Sequence, residues 1–261
     1  MASFVGIAIW NSIEMVPLVF LTFTRYRTLY FWSLCVTVTG VLICSAAQII
    51  NIWVTNRSNL VPAALSCVGW IPMVTGQSLV LYSRLHLLYI ELRTLRLVLI
   101  MIIFNAIVVH SAGFILTMGA NSNSPDRYIY PYNIFEKVQV TIFFIQEIII
   151  SGLYLWKAKE FLGKYSSNLI NSQDRSARTI REILTYLIVV NIIVVALDVT
   201  ILVLEYLGLY LTQLTYKIFV YSVKVKCEVG ILNRLIEFVK RSRRLDSNFQ
   251  ITRQMQRERR S

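Results

Sequence analysis

The ionisable residues Glu14, Glu147, Asp198, Lys224 and Glu228 are among those that fall inside long apolar stretches of the chain. An unpaired charge at the centre of a bilayer costs about 3 kcal/mol even on the lenient insertion scale, so such groups must face one another. Counting about 1.5 Å per helical residue puts Glu14, Glu147, Asp198 and Lys224 within a turn or two of one depth. This spacing predicts a polar midplane cluster able to hold a ligand or relay a proton. Lys224 and Glu228 are four apart and share a helix face, so a pair within one helix is available. Asp198 reaches Lys224 only if the sixth and seventh helices pack directly. Lys226, two residues from Lys224, points elsewhere, so either it snorkels or the seventh helix ends early. Gln77, with Asn11, Asn105, Gln146 and Asn191, adds neutral hydrogen-bonding capacity. The competing reading is interhelical glue, worth about 0.6 kcal/mol per contact.

Other chemistries find little support. Lys224 midway along a seventh helix could form a Schiff base with retinal, but the third apolar stretch offers no carboxylate as counter-ion. His86 and His110 have no cysteine beside them, so no metal site is expected. No nucleophile motif and no glycine-rich phosphate loop occurs, and neither an enzyme nor a cofactor is implied. Arg84 and His86 close the third stretch, where Arg84 either snorkels to lipid phosphate or locks a neighbouring helix through a carboxylate; the two are candidate cytoplasmic switch residues.

The elements that must position these groups are seven apolar stretches, at about residues 3–24, 29–54, 60–83, 97–119, 134–156, 183–205 and 209–233. Each is near the ~20 residues a helix needs to cross hydrocarbon. The expected fold is all-α, a polytopic bundle of seven transmembrane helices. Of 26 Lys and Arg residues, about 20 fall on alternate connections and the carboxyl tail, from Arg25 and Arg27 through Arg84, Arg93 and Arg96 to the run Lys157–Arg181 and the tail from Arg234 onward. Arg57, Arg127, Lys137 and Lys217 lie opposite. Basic loops stay cytoplasmic, which predicts an amino terminus outside and a carboxyl terminus in the cytosol.

A chain of 261 residues, 56% hydrophobic and 15% charged, is too apolar for an ordinary soluble domain. Residues 1–236 are expected to form one bundle and 237–261 a basic cytoplasmic tail, largely disordered. The formal charge of +12 sits in loops and tail, which disfavours nucleic acid and favours anionic lipid headgroups at the cytoplasmic face. Arg178, Arg181, Lys240, Arg241, Arg243 and Arg244 are the expected headgroup contacts. Cys35, Cys44, Cys67 and Cys227 lie inside spans and are expected to be free thiols. The first span lacks a basic flank before it and is expected to stay as a helix rather than be cleaved. Asn56-Arg57-Ser58 is a glycosylation sequon crowded by two membrane boundaries.

Proline placement, with Pro17, Pro62 and Pro72 in the first and third spans and none in the fifth or seventh, argues against two duplicated halves. Ala120 to Asn133, with Tyr128, Tyr130 and Tyr132 among turn residues, is the expected cap over an outer vestibule. Arg175, Arg178, Arg181 and Glu182 carry helical spacing and should extend the sixth helix into the cytoplasm.

Several stretches carry a family likeness: Tyr30-Phe31-Trp32-Ser33, the run Gly76 to His86, Phe135-Glu136-Lys137-Val138-Gln139 leading to Gln146-Glu147, and Tyr221 to Glu228. In these the chain resembles a fungal family of seven-helix integral membrane proteins, receptor-like in plan and without an assigned function, over nearly its whole length. The resemblance departs from G-protein-coupled receptors: Ser83 stands before Arg84 in place of an acid, the seventh helix lacks Asn-Pro-x-x-Tyr, and no outer cysteine pair is present. It therefore carries no expectation of G-protein coupling.

The expectation from residues and resemblance together is a multi-pass receptor-like sensor. It would take an unknown small ligand through an outer vestibule and meet a cytoplasmic protein partner. The alternative is a transporter or proton-linked permease using the buried carboxylates and Lys224, and a structural role ranks third. The plasma membrane is the expected location, with an endomembrane the alternative.

Overall fold

Within hydrocarbon a backbone has no water to satisfy it, so a long run of Leu, Ile, Val and Phe closes its own hydrogen bonds as a helix. The computed structural model describes residues 2–22, 28–53, 60–87, 91–122, 126–168, 175–208 and 212–231, and each of these segments is helical. The helices are α1 (Ala2–Thr22), α2 (Leu29–Trp53), α3 (Leu60–Leu87), α4 (Leu92–Ala120), α5 (Asp126–Asn168) and α6 (Arg175–Tyr206). A seventh, α7, covers 212–231. Six of them are long and apolar enough to cross a membrane, which makes this a multi-pass helical membrane protein. The described part of α7 is more polar, carrying Lys217, Lys224, Lys226 and Glu228.

Side-chain contacts fix the directions. Asn105 meets Gln146 and Gly113 meets Gln139, so α4 and α5 run antiparallel. Asp198 meets Lys224 and Glu205 meets Gln213, so α6 and α7 do too. On α1 and α7, Asn11 meets Ser222 and Glu14 meets Lys226, a parallel pair. The bundle therefore alternates up and down, with the starts of α1, α3, α5 and α7 at one end, the amino-terminal face.

The α2–α3 contact is the tightest, because glycines let the backbones touch. A Cβ on Gly40 would lie 2.5 Å from the Met73 nitrogen and 2.8 Å from the Gly69 carbonyl. Toward the opposite face, Leu81, Leu85, Ile102, Ile150, Leu187 and Ile231 pack in one apolar cluster. On the outside, Ile100, Ile103, Phe104 and Ile107 of α4 are exposed side by side, as lipid contact requires.

Several sequence expectations need correction. α5 has 43 residues, far longer than the apolar stretch 134–156, and α4 starts at Leu92, five residues before the stretch drawn for it. Hydropathy counts only the part in hydrocarbon, whereas the helix continues wherever its backbone bonds are unbroken. Tyr128, Tyr130 and Tyr132 consequently sit on the first turns of α5, not in a loop capping a vestibule. Pro131 lies inside this helix, sixth from its start, and the helix runs through it at the loss of the one bond its N–H would have made to the Arg127 carbonyl. α6 does begin at Arg175, where the charge spacing placed its extension. The tail 237–261, the sequon at Asn56 and Lys240, Arg241, Arg243 and Arg244 lie outside the described residues, as do the side chains of Arg178 and Arg181.

Candidate functional site

Helix α7 carries the site because three of its charged residues share one stripe. At 3.6 residues per turn, positions 217, 224 and 228 fall within about 40° of one another, over about 16 Å of axis. Each of them is ion-paired to another helix.

At the deeper tier, Lys224 Nζ lies 2.7 Å from Glu147 Oε2 of α5 and also binds Asp198 Oδ1 of α6. The side chains of Lys224, Glu147 and Asp198 are 0%, 2% and 6% exposed. The ammonium also stands 4.5 Å from the centre of the Tyr221 ring, where the electron-rich face attracts it. Two carboxylates face one amine, so the triad can take up and release a proton without breaking the Lys224 contacts.

At the shallower tier the same arrangement recurs. Lys217 Nζ lies 2.6 Å from Glu205 Oε2 of α6 and 3.1 Å from Glu136 Oε1 of α5. The Gln213 amide donates to both carboxylates. Trp70 of α3 places its ring 5.5 Å from the Lys217 ammonium.

The third contact closes the opposite half. Arg84 Nη2 of α3 lies 2.9 Å from Glu228 Oε1, and both side chains are buried. The approach is short, but its angle makes no hydrogen bond, so it is a charge contact. Tyr30 of α2 donates to the Glu228 carbonyl at 2.9 Å, and Tyr154 of α5 lies under the guanidinium at 5.2 Å. Asn191 of α6 stands 3.5 Å from Arg84 Nη2. Arg84 is thus a helix lock, not a snorkelling residue.

Beside the deeper tier, Gln146 donates to Ser78 and accepts from Asn105, tying α3, α4 and α5 together at 2.8 and 2.7 Å. Gln77 is buried, with neither amide atom hydrogen-bonded among the described residues. His110 bonds Thr75 at 3.1 Å and stacks on Phe143.

A cavity of about 100 Å³ lies at the amino-terminal end of the bundle, between α2, α3, α4, α5 and α7. Trp70, His110, Phe114, Tyr132, Glu136 and Lys217 are among its walls. A second, smaller cleft of about 20 Å³, partly open and mostly apolar, lies deeper, against Phe143, Phe144, Glu147, Asp198 and Tyr221. Trp70 and Val140 line both. The smaller cleft is far too small for a polyene chromophore beside Lys224. Carboxylates do face Lys224, contributed by α5 and α6 and not by α3.

The structure therefore brings Glu147, Asp198 and Lys224 together and ties Glu228 to Arg84. It leaves Glu14 out: Glu14 and Lys226 form a 2.7 Å pair, 41% and 45% exposed, on the far side of α7. This settles the Lys226 question, because the helix continues past it and the side chain has its own partner. His86 is exposed on the last turn of α3. Glu136, Glu205 and Lys217 were absent from the sequence expectation because they lie near span ends, where charge is unremarkable. The acidic residues on α5 and α6 facing lysines seven apart on α7 were the available signal.

No curated protein and no solved structure matches the chain. Over residues 1–246 it matches the family described as a domain of unknown function, DUF7703, and the chain belongs to that family.

Proposed function

We propose that this chain is a receptor-like, non-enzymatic sensor, with its amino terminus outside and its carboxyl terminus in the cytosol. A small ligand enters the cavity at the amino-terminal face and loosens Lys217 from Glu136 and Glu205. Because Lys217, Lys224 and Glu228 are fixed on one helix, a shift of α7 there alters the Arg84 contact at the other end. A ligand that binds one packing arrangement more tightly shifts the population toward it. The observation that carries this reading is the single stripe of three ion-paired residues on α7, running from the cavity wall to the opposite half of the bundle. The resemblance to fungal seven-helix receptor-like proteins agrees with it, and the basic loops support the orientation.

The test uses the native thiol of Cys227, which neighbours Glu228. Lys217→Met stands in for ligand by removing the first contact, and it should raise the rate of thiol labelling at Cys227 several-fold. An unchanged rate in a folded variant ends the sensor reading.

The two carboxylates around Lys224, next to a cleft, support a second reading as a proton-linked permease. Proton flux in proteoliposomes under a pH gradient separates the two: the sensor gives no more than empty vesicles, the permease gives flux lost in Glu147→Gln and Asp198→Asn. The basic tail and Arg178 and Arg181 are assigned to anionic headgroups at about 1 kcal/mol per residue near the surface. Flotation with anionic vesicles should fail when Lys240, Arg241, Arg243 and Arg244 are neutralised. A cytoplasmic protein partner and a plasma-membrane location belong to the same proposal.

A further inference from the structure

We propose that the outer face of α1 and α7 around the Glu14–Lys226 pair is the surface on which a second copy of this chain docks in the membrane, each copy setting its Glu14 against the Lys226 of the other. On α7 this surface lies about 180–200° round from the stripe of Lys217, Lys224 and Glu228. It is therefore independent of the sensor reading.

The depth of the pair is the first reason. The apolar span of α1 is Ser3–Leu21, so its middle falls at Ser12 and Glu14 stands only about 3 Å beyond it. Asn11 meets Ser222 one turn earlier, which holds α1 and α7 level and puts Lys226 at the same depth. Both side chains are nevertheless more than 40% exposed on the outside of the bundle. Lys226 is the one exposed residue among the described residues of α7, a helix otherwise enclosed by its neighbours. A carboxylate and an ammonium facing hydrocarbon at mid-depth are costly, and polar groups there belong against protein. Snorkelling gives no relief while Lys226 Nζ donates to Glu14 Oε2 at 2.7 Å.

The second reason is unused bonding capacity. The pair makes one hydrogen bond, which leaves the ammonium two further donors and the carboxylate its second oxygen among the described residues.

Symmetry selects the occupant. Two copies inserted in the same sense are related by a two-fold axis along the membrane normal, which keeps every residue at its own depth and makes the contact self-complementary. Because Glu14 and Lys226 lie level, that rotation turns the pair end for end. The carboxylate of one copy then faces the ammonium of the other, twice, in a ring of four alternating charges. A pair carrying one charge of each sign at one depth is its own complement.

The rest of α1 supplies a seam for the contact. Ile7, Trp10, Glu14 and Leu21 are spaced by three, four and seven residues, fall within about 60° of one another, and are all turned outward. This is the spacing at which two helices interlock along a common line. Trp10 is 71% exposed and adds a large flat side chain one turn from Glu14.

The experiment uses the full chain in lipid vesicles at low protein density, with copies carrying a donor or an acceptor dye on a carboxyl-terminal tag. Energy transfer between copies should exceed the random level and fall when unlabelled parent protein is added. The neutral double variant Glu14→Gln/Lys226→Met should weaken association at least ten-fold, and its unfolding midpoint in detergent reports that each copy remains folded. Trp10→Ala should also reduce transfer, whereas Phe104→Ala on the exposed face of α4 should not. Glu14→Lys and Lys226→Glu, each prepared alone, present two like charges and should not self-associate. Mixed with each other they should regain transfer, which also shows that both are folded; where either fails to fold, the neutral double variant decides. No transfer above the random level in the parent means that lipid or a different protein covers the pair and overturns the proposal. So does undiminished transfer in the folded neutral double variant, an equal loss with Phe104→Ala, or a mixture of folded charge-reversed copies no better than either alone.

Discussion

Lys224 and Glu228 stand four residues apart on one face of α7, yet each is committed to a different helix. Lys224 binds Glu147 and Asp198, whereas Glu228 takes Arg84. An i,i+4 pair on a single helix adds only a few tenths of a kcal/mol. Contacts to other helices satisfy the same charges and fix α7 against α3, α5 and α6 at once.

The Arg84–Glu228 pair should therefore behave as a matched unit. Arg84→Met or Glu228→Gln alone leaves one buried charge without its partner, at a cost of about 3–5 kcal/mol. The double variant removes both charges and should regain a large part of that loss. Thermal unfolding in detergent checks this, and a double variant no better than the worse single one would show that the two side chains act independently.

The Lys224 triad and the Lys226–Glu14 pair differ in burial, and so should their sensitivity. Lys224→Met leaves two carboxylates facing each other in a fully buried space, while Lys226→Met removes one end of a pair that is 45% and 41% exposed. The first should lower the unfolding temperature much more than the second. Equal losses would mean that Lys226 and Glu14 are buried in the membrane-embedded protein.

Most of the helical plan could be read from the sequence, because apolar runs near 20 residues report the hydrocarbon crossing directly. The deeper triad was readable too, since Glu147, Asp198 and Lys224 are charges where none is expected. The Lys217 tier was not, because Glu136, Glu205 and Lys217 lie near span ends, where a charge costs little and attracts no notice. Glu14 was misplaced for a related reason: depth along a helix can be counted, but the face a residue presents depends on which neighbour packs there. The start of α5 was hidden by its polar first turns, whose helicity comes from backbone bonds and not from hydrophobicity.

Glycine substitutions should separate close approach from open space. At Gly40 an added methyl meets the Met73 backbone, which cannot yield as a flexible side chain could, so Gly40→Ala should cost about 1–3 kcal/mol. At Gly6 nothing lies within 4 Å. Gly6→Ala should be neutral or stabilising by up to about 1 kcal/mol, the propensity difference between the two residues in a helix. Unfolding midpoints of the two variants read the difference, and an unchanged midpoint in Gly40→Ala would contradict the α2–α3 packing.

The cavity and the orientation can be tested together on a native thiol. Cys67 lines the cavity, whereas Cys35 lies near the start of α2 at the other end of the bundle. An impermeant thiol reagent added to intact cells should label Cys67 if the amino-terminal face is outside, and only after permeabilisation if it faces inward. Ile71 is also part of the cavity wall, and Ile71→Trp adds bulk to it. This variant should slow labelling several-fold while leaving Cys35 unchanged in detergent. Labelling of Cys67 that ignores Ile71→Trp would mean the reagent reaches the thiol by another route, and the cavity would lose its standing as the entrance.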